Sequence, residues 1–69
     1  MTKGKAIVEH IKKTPGLTNP TIAASTVNCS LSYAKRVFAY LVATGNVEEE
    51  INYDGRTIYF YLAGILIHN

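Results

Sequence analysis

The chain has no tryptophan, a single cysteine, two prolines and, between Glu9 and Glu48, no acidic residue. Each shortage removes a class of explanation. Cys29 alone cannot close an internal disulfide, and with only His10 and His68 beside it there is no zinc-ligand set. A disulfide-stapled scaffold and a metal-held finger are therefore excluded, and a reduced, cytoplasmic setting is expected. The longest apolar run, YFYLAGILI, falls well short of the ~20 residues that span a bilayer. The opening MTKGKAIVEHIKK is charged throughout and lacks an apolar h-region, so neither a signal peptide nor a membrane partner is expected. No Ser-His-Asp set, paired carboxylates or glycine-rich phosphate loop is present. Glu48, Glu49 and Glu50 would alternate faces on a strand, so they are not a facing acid pair. Neither a catalytic residue nor a metal, cofactor or small-molecule ligand is expected.

What is there suits one small folded domain. The 69 residues are 48% hydrophobic and 17% charged, a composition that buries a core. At this length only about 60% of the unfolded chain's surface is removed from water. Such a core supplies roughly 3–5 kcal/mol without a staple or a partner. The net charge of +2 conceals an uneven distribution. Lys12, Lys13, Lys35 and Arg36 fall in the acid-free stretch, whereas the acids are Glu9, Glu48–Glu50 and Asp54. The middle of the chain is locally cationic.

Helical spacing of Ile7, Val8 and Ile11 behind a Thr2 cap predicts a first helix, ended by Thr14-Pro15-Gly16. Glu9 is four residues from both Lys5 and Lys13 and is expected to pair with one of them. Leu17 then suggests a very short extended segment. A short second helix is expected from Pro20, capped by Asn19 or Thr18, with Ile22 and Ala23 inward. Asn28 suits a left-handed turn. A third helix, about 30–44, is capped by Ser30 and carries Leu31, Ala34, Phe38 and Leu41 on one stripe, flanked by Val37 and Val42. Its opposite side is centred on Ser32, Arg36, Ala39 and Ala43, with Tyr33 and Tyr40 on one shoulder. Gly45 stands where positive φ ends a helix.

Beyond Gly45 the period changes to two. VEEEINY and TIYFYL flank Asp54-Gly55, the dipeptide that best fits a two-residue type I′ hairpin. That loop sets Ile51 opposite Ile58 and Val47 opposite Leu62, a face to cover the helices. It also sets Glu49 opposite Phe60, which a bulge or an open edge must relieve. The chain is thus expected to be α+β, mostly α.

The pieces LTNPTIAAST, CSLSYAKRVFAYLVATGNV and INYDGRTIYFYL, in that order, resemble the winged helix-turn-helix family of DNA-binding domains. The resemblance runs from about Lys5 to Leu62, and small stand-alone regulators of bacteria, phages, plasmids and archaeal viruses are the nearest likeness. It implies a three-helix domain with a C-terminal β-hairpin wing over residues 1–62, followed by an apolar tail, 63–69. It also implies a sequence-specific double-stranded DNA-binding protein that regulates transcription, nucleoid-associated or in host cytoplasm if viral. The third helix would lie in the major groove, with the wing, 51–58, on flanking backbone or minor groove. The triple glutamate departs from the pattern, and Asp54 at the tip would face phosphate.

Under that reading Ser32, Tyr33 and Arg36 are the expected base readers. The groove admits one helix whose side chains are short or reach base edges directly. Thr18, Asn19, Thr21, Ser30, Lys35, Tyr40 and Arg56 are the expected backbone contacts, those near residue 20 through converging N–H groups. Arg56 is equally well read as a solvated turn residue paired with Asp54. Lys3, Lys5, Lys12 and Lys13 read first as solvent cover. Cys29 is expected to pack, and His10 and His68 show no partner in sequence. Tyr53, Tyr59 and Tyr61 suit strand packing more than a single-strand stacking platform. One module reads few base pairs, so a homodimer on a two-fold site is expected. Tyr61, Leu62, Ile65, Leu66 and Ile67 are its candidate contact, the alternative being that this segment folds onto the first helix. A winged-helix protein-protein interaction module without DNA binding is the competing function.

Overall fold

The computed structural model describes residues 2–62. Three helices precede a two-stranded antiparallel sheet, an α+β fold, mostly α, with the layout of a winged helix-turn-helix. The helices are α1 (Lys3–Lys13), α2 (Pro20–Val27) and α3 (Leu31–Ala43); the strands are β1 (Val47–Ile51) and β2 (Thr57–Tyr61).

Local chemistry sets the helix ends. Thr2, Asn19 and Ser30 each occupy an N-cap, their side-chain oxygens accepting from the N–H of Lys5, Ile22 and Tyr33 at 3.2, 2.9 and 3.1 Å. Each such cap is worth about 1 kcal/mol. Asn28 closes α2 in the left-handed region at φ 61°. Gly45 does the same after α3 at φ 82°. There the N–H groups of Gly45 and Asn46 turn back to the carbonyls of Val42 and Leu41, a Schellman ending. Lys3 adds a long-range cap: its Nζ donates to the carbonyls of Val27 and Asn28 at 3.0 and 2.9 Å, tying α1 to the end of α2.

The core is small. Ile7, Ile11, Ala23, Ala34 and Phe38 are buried, joined by Ala24, Leu41 and Val47. Two expected inward positions are not buried: Ile22 and Leu31 keep 43% and 41% of their surface. Each lies in the first turn of its helix, left partly uncovered by the other described residues. Glu9 pairs with Lys12 at 3.5 Å, three residues on, in place of Lys5 or Lys13.

The hairpin register differs from the expected one by a residue. Ile51 is opposite Thr57, Glu49 opposite Tyr59 and Val47 opposite Tyr61. The Asn52 N–H donates to the Arg56 carbonyl at 2.7 Å, and the Gly55 N–H to the Asn52 carbonyl at 2.9 Å. Gly55 has φ 87°. These features describe a three-residue loop, Tyr53-Asp54-Gly55, with glycine in the left-handed bulge position. A one-residue slip turns a whole strand over. Here it turns β2 over and brings Tyr59 and Tyr61 to the helices beside Val47. Ile51, on the same face as Val47 but at the loop end of the hairpin, is 74% exposed. The Tyr59 ring meets Phe38 edge-on, centroids 4.8 Å apart, and Lys12 Nζ lies 5.0 Å from the Tyr61 centroid. Glu49 no longer opposes Phe60; it sits beside a hydroxyl.

The segment expected to be extended at Leu17 makes one strand-like bond, Gly16 N–H to the Tyr59 carbonyl at 2.9 Å. That bond fixes the linker between α1 and α2 against the outer edge of β2.

Candidate nucleic-acid interface

The outward side of α3 is built by its own periodicity. With Ala34, Phe38 and Leu41 fixed in the core, Ser32, Lys35, Arg36, Ala39, Tyr40 and Ala43 all stand exposed. No carboxylate occurs anywhere on the helix, and two cations do. Ser32, Ala39 and Ala43 are short, so a flat or grooved partner can approach the helix backbone closely. Tyr33 stands apart from this set. Its hydroxyl lies against Gly4 of α1, so near that a Cβ there would be 3.3 Å away. The ring leans over α1, on the shoulder of the helix and not on its crest. Ser30 is committed as a cap through its oxygen.

Beside α3 runs an open groove of about 1020 Å³, walled by the start of α2, the Lys35–Ala39–Ala43 flank and the wing. Asn19 and Pro20 form one end, and Arg56 reaches it from the hairpin. Helix starts carry a partial positive charge, and none of the first turns of α2 or α3 contains an acid to neutralise it. The wing wall contributes Glu49 and Asp54, so the groove is cationic on its helical side and acidic on its hairpin side.

Thr18 lies at the groove's edge but offers it almost no surface. It is 3% exposed, and its Oγ1 lies 2.6 Å from His10 Nε2. The hydroxyl expected to meet phosphate instead joins α1 to the linker before α2, and His10 has the partner that sequence did not show. Asn19 is half-buried with Oδ1 used as the cap, whereas Thr21 is exposed.

At the wing, Arg56 lies beside Asp54, as its reading as a solvated turn residue expects. Its Nε is 3.7 Å from Asp54 Oδ2, and its backbone N–H donates to Asp54 Oδ1 at 3.1 Å. The guanidinium side chain is nevertheless 82% exposed. Asp54 thus turns inward to close its own loop. The tip residue is Tyr53, fully exposed, a position sequence reading assigned to strand packing. The loop length was the missing signal: with three residues in the loop, Tyr53 is its first.

Tyr59 is a packing residue, as expected. Burial first, then the Glu49 carboxylate across the strand, raise its pKa above the ordinary 10.0. The hydroxyl lies 3.5 Å from Glu49 Oε2. Cys29 is half-buried against the core. Among the described residues no group of three or more His, Cys, Asp or Glu side chains could hold a metal ion. Nor is any described helix long and apolar enough to cross a membrane.

Of the expected dimer contacts, Tyr61 and Leu62 are half-buried at the end of β2, where the Leu62 N–H donates to the Asn46 carbonyl at 2.8 Å. Ile65, Leu66, Ile67 and His68 lie outside the described residues. No family model, curated protein or solved structure matches the chain.

Proposed function

We propose that this chain binds double-stranded DNA in a sequence-specific manner and regulates transcription, with α3 in the major groove and the wing on the adjoining backbone or minor groove. The observation that carries the reading is the acid-free outer side of α3, free of cover from the rest of the described molecule. A major groove about 12 Å wide accepts one helix, and short side chains let it seat deeply. Arg36 is the base reader, able to fork onto a guanine; Ser32 reads beside it. Lys35, Thr21 and Arg56 meet phosphate, and Tyr40 reaches the sugar-phosphate backbone. Two copies acting on a two-fold site would supply the affinity one small module lacks.

Selection of bound sequences from a random duplex library tests the proposal. An inverted-repeat consensus is the expected result; recovery of no preferred sequence would oppose it.

A second reading has one observation in its favour. Leu17 and Ile22 are exposed at the groove, and the acids of its wing wall offset Lys35 and Arg56. A groove of that mixed character suits a polypeptide, and a module of that kind would bind no duplex at any salt concentration.

A further inference from the structure

We propose that the wing tip is a wedge, with Tyr53 inserting at a base step of duplex DNA beside the site held by α3. The inference rests on the DNA-binding reading above and adds a distortion of the partner to it. Tyr53 is fully exposed, and Ile51, two residues before it, is 74% exposed. The other hairpin tyrosines have neighbours: Tyr59 lies on Phe38, and Tyr61 lies under Lys12. Tyr53 alone projects.

The tip is rigid. Asn52 N–H to Arg56 carbonyl, Gly55 N–H to Asn52 carbonyl and Arg56 N–H to Asp54 Oδ1 close a three-residue loop at 2.7, 2.9 and 3.1 Å. The ring is therefore presented with little backbone freedom left to lose on binding. Within the loop itself, Asp54 carries the charge that would repel phosphate. Its carboxylate is spent on the Arg56 backbone N–H and lies 3.7 Å from the guanidinium. Arg56 remains exposed enough to hold a phosphate or enter a narrow minor groove.

Shape selects the partner. A stable protein interface needs about 800 Å² from each side, which a three-residue convex tip cannot offer. A base step takes one flat ring, and side chains wedged between base steps unstack them and bend the duplex.

The test uses the full chain and a duplex of the selected sequence, with 2-aminopurine placed in turn at each position flanking the α3 site. Wild type and Tyr53→Phe should raise the probe's fluorescence at one step on saturation. Tyr53→Ala should bind about tenfold more weakly, the scale of one lost stacking contact, and raise it nowhere. Since the side chain touches nothing in the fold, thermal melting of the three proteins should coincide. Saturation by wild type with no probe responding, or an equal response to Tyr53→Ala, overturns the wedge while leaving DNA binding intact. Loss of self-association in Tyr53→Ala without any probe response assigns the tip to a protein contact and also overturns it. Failure of wild type to bind any duplex overturns both readings together.

Discussion

Gly16 and Phe60 share one space: a Cβ on Gly16 would stand 3.0 Å from Phe60 Cζ. Gly16 also has φ 72° and donates its N–H to the Tyr59 carbonyl. The contact joins the linker before α2 to the wing strand, so it holds the groove's two ends together. Gly16→Ala should cost about 1–2 kcal/mol from the left-handed backbone alone, and more from the displaced ring. Urea unfolding of the variant against wild type measures it.

Among the described residues Phe38 is the largest fully buried side chain, and it carries both the α3 packing and the Tyr59 edge contact. Large-to-small replacement of such an aromatic costs roughly 3–5 kcal/mol. The core of a domain this size supplies about that much in total. Phe38→Ala should therefore leave the chain largely unfolded at room temperature by circular dichroism, whereas Phe38→Leu should retain a cooperative transition.

The raised pKa of Tyr59 has a defined consequence in alkali. The native state holds the phenol proton to higher pH than the unfolded chain, whose value is near 10.0. Its contribution to stability is thus complete below that pH and is lost as pH rises through the native value. Wild type should lose stability above about pH 10 more steeply than Tyr59→Phe. In Glu49→Gln, which removes the neighbouring charge, the Tyr59 ring resonances should titrate at lower pH than in wild type.

Arg36 and Lys35 are adjacent but should fail differently. Arg36→Ala should cost about 1–3 kcal/mol on the selected site and relax preference at one base position. Lys35→Ala should weaken all duplexes alike and flatten the salt slope by about 0.9. Binding titrations on cognate and scrambled duplexes separate the two.

Features confined to one turn were legible in the sequence. Thr2, Asn19, Asn28, Ser30 and Gly45 each take the role that a cap or left-handed residue has by its own chemistry. The exposed side of α3 followed from period alone. The hairpin register did not, because Asp54-Gly55 fits both a two-residue turn and a three-residue loop with a glycine bulge. The awkward pairing of Glu49 with Phe60 was the signal against the shorter loop; moving the register by one residue removes it. Thr18 was misplaced for another reason. Its partner, His10, lies eight residues back across the Pro15-Gly16 turn, and no local pattern reports such a contact.

Fluorescence-anisotropy titration of a selected duplex over a salt series tests the central claim most directly. With Lys35 and Arg56 each displacing a counterion, log affinity should fall linearly with log salt, with a slope of about −1.8 or steeper per copy. A duplex that never associates at low ionic strength, or an affinity indifferent to salt, would contradict the placement of α3 in DNA.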